Sequence, residues 1–360
     1  MIAACSIFLP YILTGIILAF LVVYITLNVR TRNLIFVHKG SKILRLFFAF
    51  SLIVPSLYRN WIGVGVGVGV MFAIVLGLFL RSVMTSALYE KVLSLICVLS
   101  LTSTSCAISE KFIIPLFNER YNADRIAAMF SHPNYFGTII ATVIIICAYK
   151  VLTRQGRKWV YYVIALINVI SLYLCESMFA WVEVFLGIAV LLMILKMHRI
   201  LTIWFFGAAL ASFIIFVLNI EIIPRLSDAG VTTMLRFKIW NFAIKQIKIS
   251  PLFGHGFMSY SYAYQRYYLG HLIPHAHNIY LDIILNFGVV GTVLFLWYFI
   301  TYYISVIKVC FKEKNVLITS LILAVTAAAL AHGATDITLL WIQTLPLFLL
   351  ILAGLGAYEK

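Results

Sequence analysis

Charge is scarce in this chain. Asp, Glu, Lys and Arg make up 11% of its 360 residues and hydrophobic residues 64%, where a soluble domain carries about 25% charged residues. That excludes an ordinary soluble fold. Apolar runs of roughly 18 to 20 residues recur from end to end, the pattern of a polytopic membrane protein. Irregular backbone cannot face lipid, so the spans must be helices. Neither an internal repeat nor a soluble domain is visible. The first 28 residues lack a basic leader and a small-residue cleavage site, so they read as a retained first span and not a signal peptide. The six cysteines, Cys5, Cys97, Cys106, Cys147, Cys175 and Cys310, are scattered through apolar segments. Without metal-ligand spacing or a disulfide pattern, they read as small core residues.

Acid is scarcer than base. Twelve Asp and Glu stand against 27 Lys and Arg, a net charge of +15. Such an excess could signal nucleic acid, but in a membrane protein the positive-inside rule is the plainer account. Eleven spans are expected, near 7–28, 43–58, 61–80, 86–107, 135–150, 159–175, 178–195, 200–219, 279–306, 316–332 and 335–357. With the N-terminus outside, most Lys and Arg fall in short inner loops and the C-terminus is cytoplasmic. The expected fold class is therefore all-α: one polytopic integral membrane domain over 1–360, with about eleven transmembrane helices and one large extracytoplasmic loop, 220–276. A second outer loop covers 109–133. In the third span, Gly63/Gly67 and Gly65/Gly69 form small-xxx-small pairs that let helices approach closely.

The large outer loop is where acid is missing altogether. No Asp or Glu lies between Asp228 and Asp282, while Arg236, Lys238, Lys245, Lys248, Arg266, His255, His271, His275 and His277 all fall in that gap. So much positive potential in one loop points to an anionic ligand. Phe237 to Ile249 reads as an amphipathic helix, with Ile239, Trp240, Ala243 and Ile247 on one face and Lys238, Asn241, Lys245 and Lys248 on the other, ended by Ser250-Pro251. A basic helix with a Trp on its apolar side suits a membrane surface and its lipids. Gly254 and Gly256 then read as a flexible turn. Tyr260, Tyr262, Tyr264, Tyr267 and Tyr268 follow, either stacking faces for sugar rings or an interfacial aromatic belt.

After Pro274 comes His275-Ala276-His277-Asn278, where the chain re-enters the membrane. A histidine there can take a proton from a hydroxyl near neutral pH. Two histidines at i,i+2 could also hold a metal, but no Cys or acidic cluster sits nearby in sequence to complete four ligands, so no metal and no cofactor is expected. Asp282, one turn beyond Asn278, is placed to orient that asparagine. In the other outer loop Arg125 is a charged fork suited to phosphate oxygens, and Asn134-Tyr135-Phe136-Gly137 reads as a helix cap after a proline break.

Together, R-x-x-x-M-F-x-H-P-N from Arg125 to Asn134, L-R-F-K-I-W before S-P-L-F-G-H-G-F, and H-A-H-N-I-Y-L before F-G-V-V-G resemble the O-antigen ligase/polymerase family. The likeness covers roughly Asp124 to Gly291 by motif and the remainder by hydropathy. It implies a glycosyltransferase of bacterial surface polysaccharide in the cytoplasmic membrane, with its site facing outside; direct attack would invert the anomeric centre, and the absent carboxylate cluster makes a metal-independent enzyme the expectation. The donor implied is a polyprenyl-diphosphate-linked oligosaccharide. A flippase and a chain-length regulator are implied partners; nucleic acid is not. His277 maps onto the catalytic histidine and Arg236 onto a donor-diphosphate binder. Arg125, Lys238, His275, Asn278 and Trp240 complete the expected substrate site. The acceptor stays open: another lipid-linked repeat makes a polymerase, lipid A core a ligase. The polymerase is favoured because nothing marks a lipid A partner. A transporter or flippase of an anionic lipid is the alternative from another class. One departure stands out, since the family's usual Ser-Arg-Gly-Ala is here Ser177-Met178-Phe179-Ala180. Either Arg125 supplies the missing charge or activity is reduced.

Overall fold

The computed structural model describes residues 1–117, 125–153, 157–218, 229–267, 273–312 and 315–359, and among these the chain is helical with no strand. Its main helices are α1 (Tyr11–Leu27), α2 (Ile43–Leu57), α3 (Trp61–Val83), α4 (Ser86–Ile108), α5 (Pro133–Leu152), α6 (Lys158–Leu174), α7 (Met178–Ile194), α8 (His198–Leu218), α9 (Ala229–Ile249), α10 (Ser259–Tyr267), α11 (Ile279–Ile307), α12 (Val316–Gly333) and α13 (Thr344–Leu352). Among the described residues, six helical stretches are long and apolar enough to cross a membrane, and five shorter apolar helices accompany them. The chain is a helical membrane protein.

The expected outlines need three adjustments. The span expected over 335–357 is not one helix: α12 ends at Gly333, a turn and a 3-10 segment (Thr338–Leu340) follow, and helix resumes at Thr344. The loop expected from 109 begins as helix, because a π turn (Ser109–Ile113) and Ile114–Phe117 prolong α4. The loop expected over 220–276 holds two helices, α9 and α10. His271, Tyr268 and the side chains of Arg266 and Tyr267 lie outside the described residues.

The core is centred on α5, nearly all of whose residues from Phe136 to Val151 are buried. It packs against α4, α6, α7 and α12, and α7 runs along α12. A helix that is apolar all round belongs in such a position. By contrast α8 packs on α7 and exposes Phe205, Phe206, Leu210 and Phe213, a surface suited to lipid. On α9 the expected amphipathic pattern holds. Ala243 is fully buried against Tyr260, Ala276 and Leu285, with Ile239 and Ile247 packed beside it, while Lys238, Asn241, Lys245 and Lys248 are exposed.

The glycine turn is a packed joint, not a flexible one. Gly254 (φ +61°), Gly256 (φ +83°) and Gly288 (φ +56°) occupy the left-handed region, which side chains with a Cβ rarely adopt. At Gly288 the regular turn of α11 is interrupted, and the 251–254 segment docks into the break. There the Val289 and Val290 N–H groups donate to the Pro251 and Leu252 carbonyls at 2.9 and 3.0 Å. The Gly256 N–H donates to the Asn286 carbonyl at 2.8 Å. A Cβ on Gly288 would lie 2.3 Å from the Leu252 carbonyl carbon. This joint fixes α10 and the start of α11, and with them the histidine turn.

Candidate active site

The turn from His275 to Asn278 is held at both ends. Asn278 caps α11, its Oδ1 accepting from Leu281 N–H at 3.0 Å, while its Nδ2 donates to the Ala334 carbonyl at 3.0 Å. Asp282 does not orient Asn278, as the one-turn spacing had indicated. Its Oδ1 accepts from the Ala276 N–H at 3.1 Å and its Oδ2 from Asn286 Nδ2 at 2.7 Å. Asp282 therefore anchors the turn from below. His277 itself sits at φ +47°, a strained conformation for a residue with a Cβ. Trp240 Nε1 donates to the His277 carbonyl at 3.4 Å, and the His277 N–H donates to His275 Nδ1 at 3.3 Å. The turn is over-determined by three separate elements, α9, α11 and the end of α12, which is how such strain persists.

What the turn presents is a histidine–carboxylate pair that motif reading missed. His277 Nδ1 lies 3.0 Å from Asp336 Oδ1, and His275 Nδ1 lies 4.0 Å from the same oxygen. Asp336 belongs to the break between α12 and α13. Its other oxygen accepts from Asn134 Nδ2 at 2.5 Å, and Asn134 Oδ1 accepts from Arg125 Nη2 at 2.6 Å. Asn134 can make this bridge because it is not the helix cap: His132 Nδ1 accepts the Asn134 N–H at 3.1 Å and caps α5, with Pro133 following. Burial alone would raise the Asp336 carboxyl, but the His277 hydrogen bond and the field of His277, His275 and His332 outweigh it. The group is held well below the usual carboxylate range. His275 is pushed down to about 4 by burial and by the neighbouring His277, and His132 is lowered by burial and by Arg125. Both imidazoles are neutral near pH 7. His277 is 30% exposed at its side chain, against 4% for Asp336. Donor atoms of His275, His277 and Asp336 all lie within 4.8 Å of one another, close enough to serve as metal ligands.

The pair opens on a cavity of about 250 Å³ whose wall includes Arg125, His132, Asn134, Arg236, His277 and His332. Arg236 lies with its guanidinium carbon 5.5 Å from the centre of the Phe179 ring. Arg125 also donates from Nη2 to the Glu176 carbonyl at 3.3 Å, so it links its own segment to the start of α5 and to the turn before α7 as well as lining the cavity. Below, His332 Nδ1 lies 2.6 Å from Glu183 Oε1, and Thr138 Oγ1 lies 3.1 Å from that oxygen. Of the residues expected at the site, Arg125, Arg236, His277 and the backing groups Trp240, His275 and Asn278 are brought together. Lys238 is not. It is exposed and, two residues beyond Arg236 on a helix, projects from nearly the opposite side.

Sequence comparison matches residues 163–296 to a family model described as O-antigen ligase. The motif resemblance is thus borne out. No curated protein matches the chain. The matched segment contains Arg236, Trp240, His275, His277 and Asn278, whereas Arg125 and Asp336 lie on either side of it. Two of the groups around His277 therefore reach the matched region only through folding. The segment also contains Met178, which lines the cavity together with Arg125 and Arg236. The position where the family resemblance anticipates an arginine is thus a site position in this chain, occupied by an uncharged side chain.

Proposed function

We propose that this protein is a glycosyltransferase of the bacterial cytoplasmic membrane that works at the outer face and moves a glycan from a polyprenyl diphosphate onto a hydroxyl acceptor. The observation that carries the reading is the His277–Asp336 pair, 3.0 Å apart, on the wall of a cavity lined by Arg125 and Arg236. Asp336 holds the Nδ1 proton of His277, which leaves the lone pair on Nε2 for a substrate. The acceptor hydroxyl gives its proton to Nε2 as its oxygen bonds to the anomeric carbon. The bond from that carbon to the diphosphate oxygen breaks, and the diphosphate leaves on its lipid. Attack from the opposite face inverts the anomeric centre. Arg236, with Arg125 behind it, neutralises the charge that develops on the leaving group, a contribution that usually dominates such chemistry. A cavity of about 250 Å³ lies at the small end of ligand pockets, which span about 300–1,000 Å³. It suits the reacting ends of two glycans, with the rest outside.

The acceptor we favour is a second lipid-linked repeat, which makes the protein a polysaccharide polymerase; transfer to lipid A core would make it a ligase. A flippase supplying the donor and a chain-length regulator are the partners such a polymerase implies. The transporter reading asks for ionisable groups midway through the spans. The buried His332–Glu183 pair sits instead in the last turn of α12 and the second turn of α7, close beneath the site.

The test uses a host that makes the lipid-linked repeat and lacks its own enzyme. Wild type should convert single repeats to a lipid-linked ladder. His277→Ala should slow this by about 10²–10⁴-fold, the usual weight of a general base, and Arg236→Ala should leave repeats unextended at equal expression. Glycan appearing on lipid A core would replace polymerase by ligase. A fully active His277→Ala protein would remove the site.

A further inference from the structure

His275, His277 and Asp336 form a constellation that the base mechanism does not require in full. A hydrogen-bonded base needs one histidine and one carboxylate. Here a second imidazole stands beside the first, with ring centres 4.4 Å apart, and its Nδ1 faces the same carboxylate oxygen at 4.0 Å. His275 Nδ1 accepts the His277 N–H at 3.3 Å, so that nitrogen is unprotonated, and an ion there would take its lone pair in place of this long hydrogen bond. The three donor atoms lie within 4.8 Å of one another. Ligands of a tetrahedral ion at about 2.0–2.1 Å would need only a modest closure of these side chains.

We propose that His275, His277 and Asp336 form an inhibitory site for a transition-metal dication such as Zn²⁺. Two imidazoles and one carboxylate select zinc, copper, nickel or cobalt over magnesium and calcium, which prefer all-oxygen sites. Three protein ligands leave a fourth position open, next to the cavity that His277 lines. The Arg125 guanidinium is held one residue away, beyond Asn134, and among the described residues Asp336 Oδ1 accepts only the Ile337 N–H besides facing the two histidines, so a cation there would share that oxygen with one backbone donor. The consequence for catalysis follows from the tautomer. The ion takes the Nδ1 lone pair of His277 in place of the proton shared with Asp336. A neutral ring then carries its one proton on Nε2 and cannot accept another from a hydroxyl. Metal binding and base catalysis exclude each other at the same ring. The inhibition, though not the site, rests on His277 being the base.

The experiment titrates Co²⁺ into the purified full-length protein in detergent and reads the visible d–d bands of cobalt in a low-symmetry site, with Zn²⁺ and Mg²⁺ as competitors. Wild type should bind one equivalent, displaced by Zn²⁺ and not by Mg²⁺. His275→Ala and Asp336→Asn, checked by melting temperature, should each bind at least about tenfold more weakly, since even groups that only support ligands are worth that much. In the glycan assay Zn²⁺ should stop wild type and a chelator restore it, with the inhibition constant matching the binding constant. Spectra lacking these bands in wild type, or equal binding in wild type and both variants, overturn the site. Cobalt binding in a protein without transferase activity would keep the site and remove the transfer reading; transfer that Zn²⁺ never inhibits despite binding would remove the inhibitory role.

Discussion

Asp336 is the residue on which the site turns, and it is the one that spacing could not reveal. Fifty-nine positions separate it from His277, and nothing in the run from His332 to Ile337 marks a motif. Its side chain matters because it fixes which nitrogen of His277 holds the proton. In Asp336→Asn the amide can donate to Nδ1, which favours the wrong tautomer while preserving shape. The expected outcome is a fall in turnover of roughly 10²–10⁴-fold, by analogy with carboxylate–histidine pairs generally, with little change in the apparent affinity for the lipid-linked donor. Turnover and affinity measured separately on purified protein check this; equal losses in both would make Asp336 a merely structural residue. His277 and Arg236, by contrast, are legible, because a basic field without acid and a Pro-His-x-His-Asn re-entry are local features, whereas Arg125 lies outside that field and is read from the R-x-x-x-M-F-x-H-P-N run. Lys238 shows where locality misleads. Its charge belongs to the same sequence cluster as Arg236, but the helical period sends it to the solvent face.

At the level of elements, the helix positions were readable from apolar runs, and most observed helices start or stop within a few residues of the expected bounds. Breaks were not readable, since they depend on partners distant in sequence. The α12–α13 interruption carries Asp336, and the Gly288 interruption accepts the 251–254 segment; both lie inside apolar sequence that hydropathy cannot distinguish from a continuous helix. The glycines of α3 make the point quantitatively. Positions four apart share a helical face, so Gly63 and Gly67 look one way and Gly65 and Gly69 another. A Cβ at Gly63 would lie 2.3 Å from the Phe257 carbonyl oxygen and one at Gly67 would lie 3.2 Å from the Ser51 carbonyl oxygen, whereas Gly65 and Gly69 have nothing within 4 Å. One pair serves close approach and the other does not. Gly63→Ala should therefore push apart α3 and the segment that Asn60 holds through the His255 and Phe257 carbonyls, lowering thermal stability and activity together. Gly65→Ala should raise stability by about 0.5–1 kcal/mol through helix propensity. Melting of the two variants in detergent distinguishes them, and a destabilised Gly65→Ala protein would contradict the assignment of faces.

Across the whole molecule, ionisable groups gather at opposite ends of the bundle. One end holds the histidine–carboxylate site. The other holds, among the described residues, Lys150 paired with Glu90, and Arg81 paired with Glu359, where His38 Nδ1 also lies 3.2 Å from the Glu359 carboxylate. The second cluster ties α3 to the C-terminal segment, and Arg81 also donates to Tyr298 of α11 at 3.1 Å. Burial alone would raise the Glu359 carboxyl, but the bonds from His38 and Arg81 and their charge hold it at about 2. Its ordinary value is 4.5, so the folded state keeps the proton off more strongly than the unfolded state does. The resulting stabilisation is fully present above about pH 4.5 and is lost progressively as pH falls toward about 2. Glu359→Gln should lower the melting temperature at neutral pH, because buried Arg81 loses its charged partner at a cost of about 1–3 kcal/mol. Its melting temperature should also fall less steeply than that of wild type between about pH 5 and about pH 3. Parallel pH profiles for the two proteins would show that Glu359 is not held in this pair. The site is at the far end of the bundle from this clamp, so donor affinity measured on the folded fraction should be unchanged.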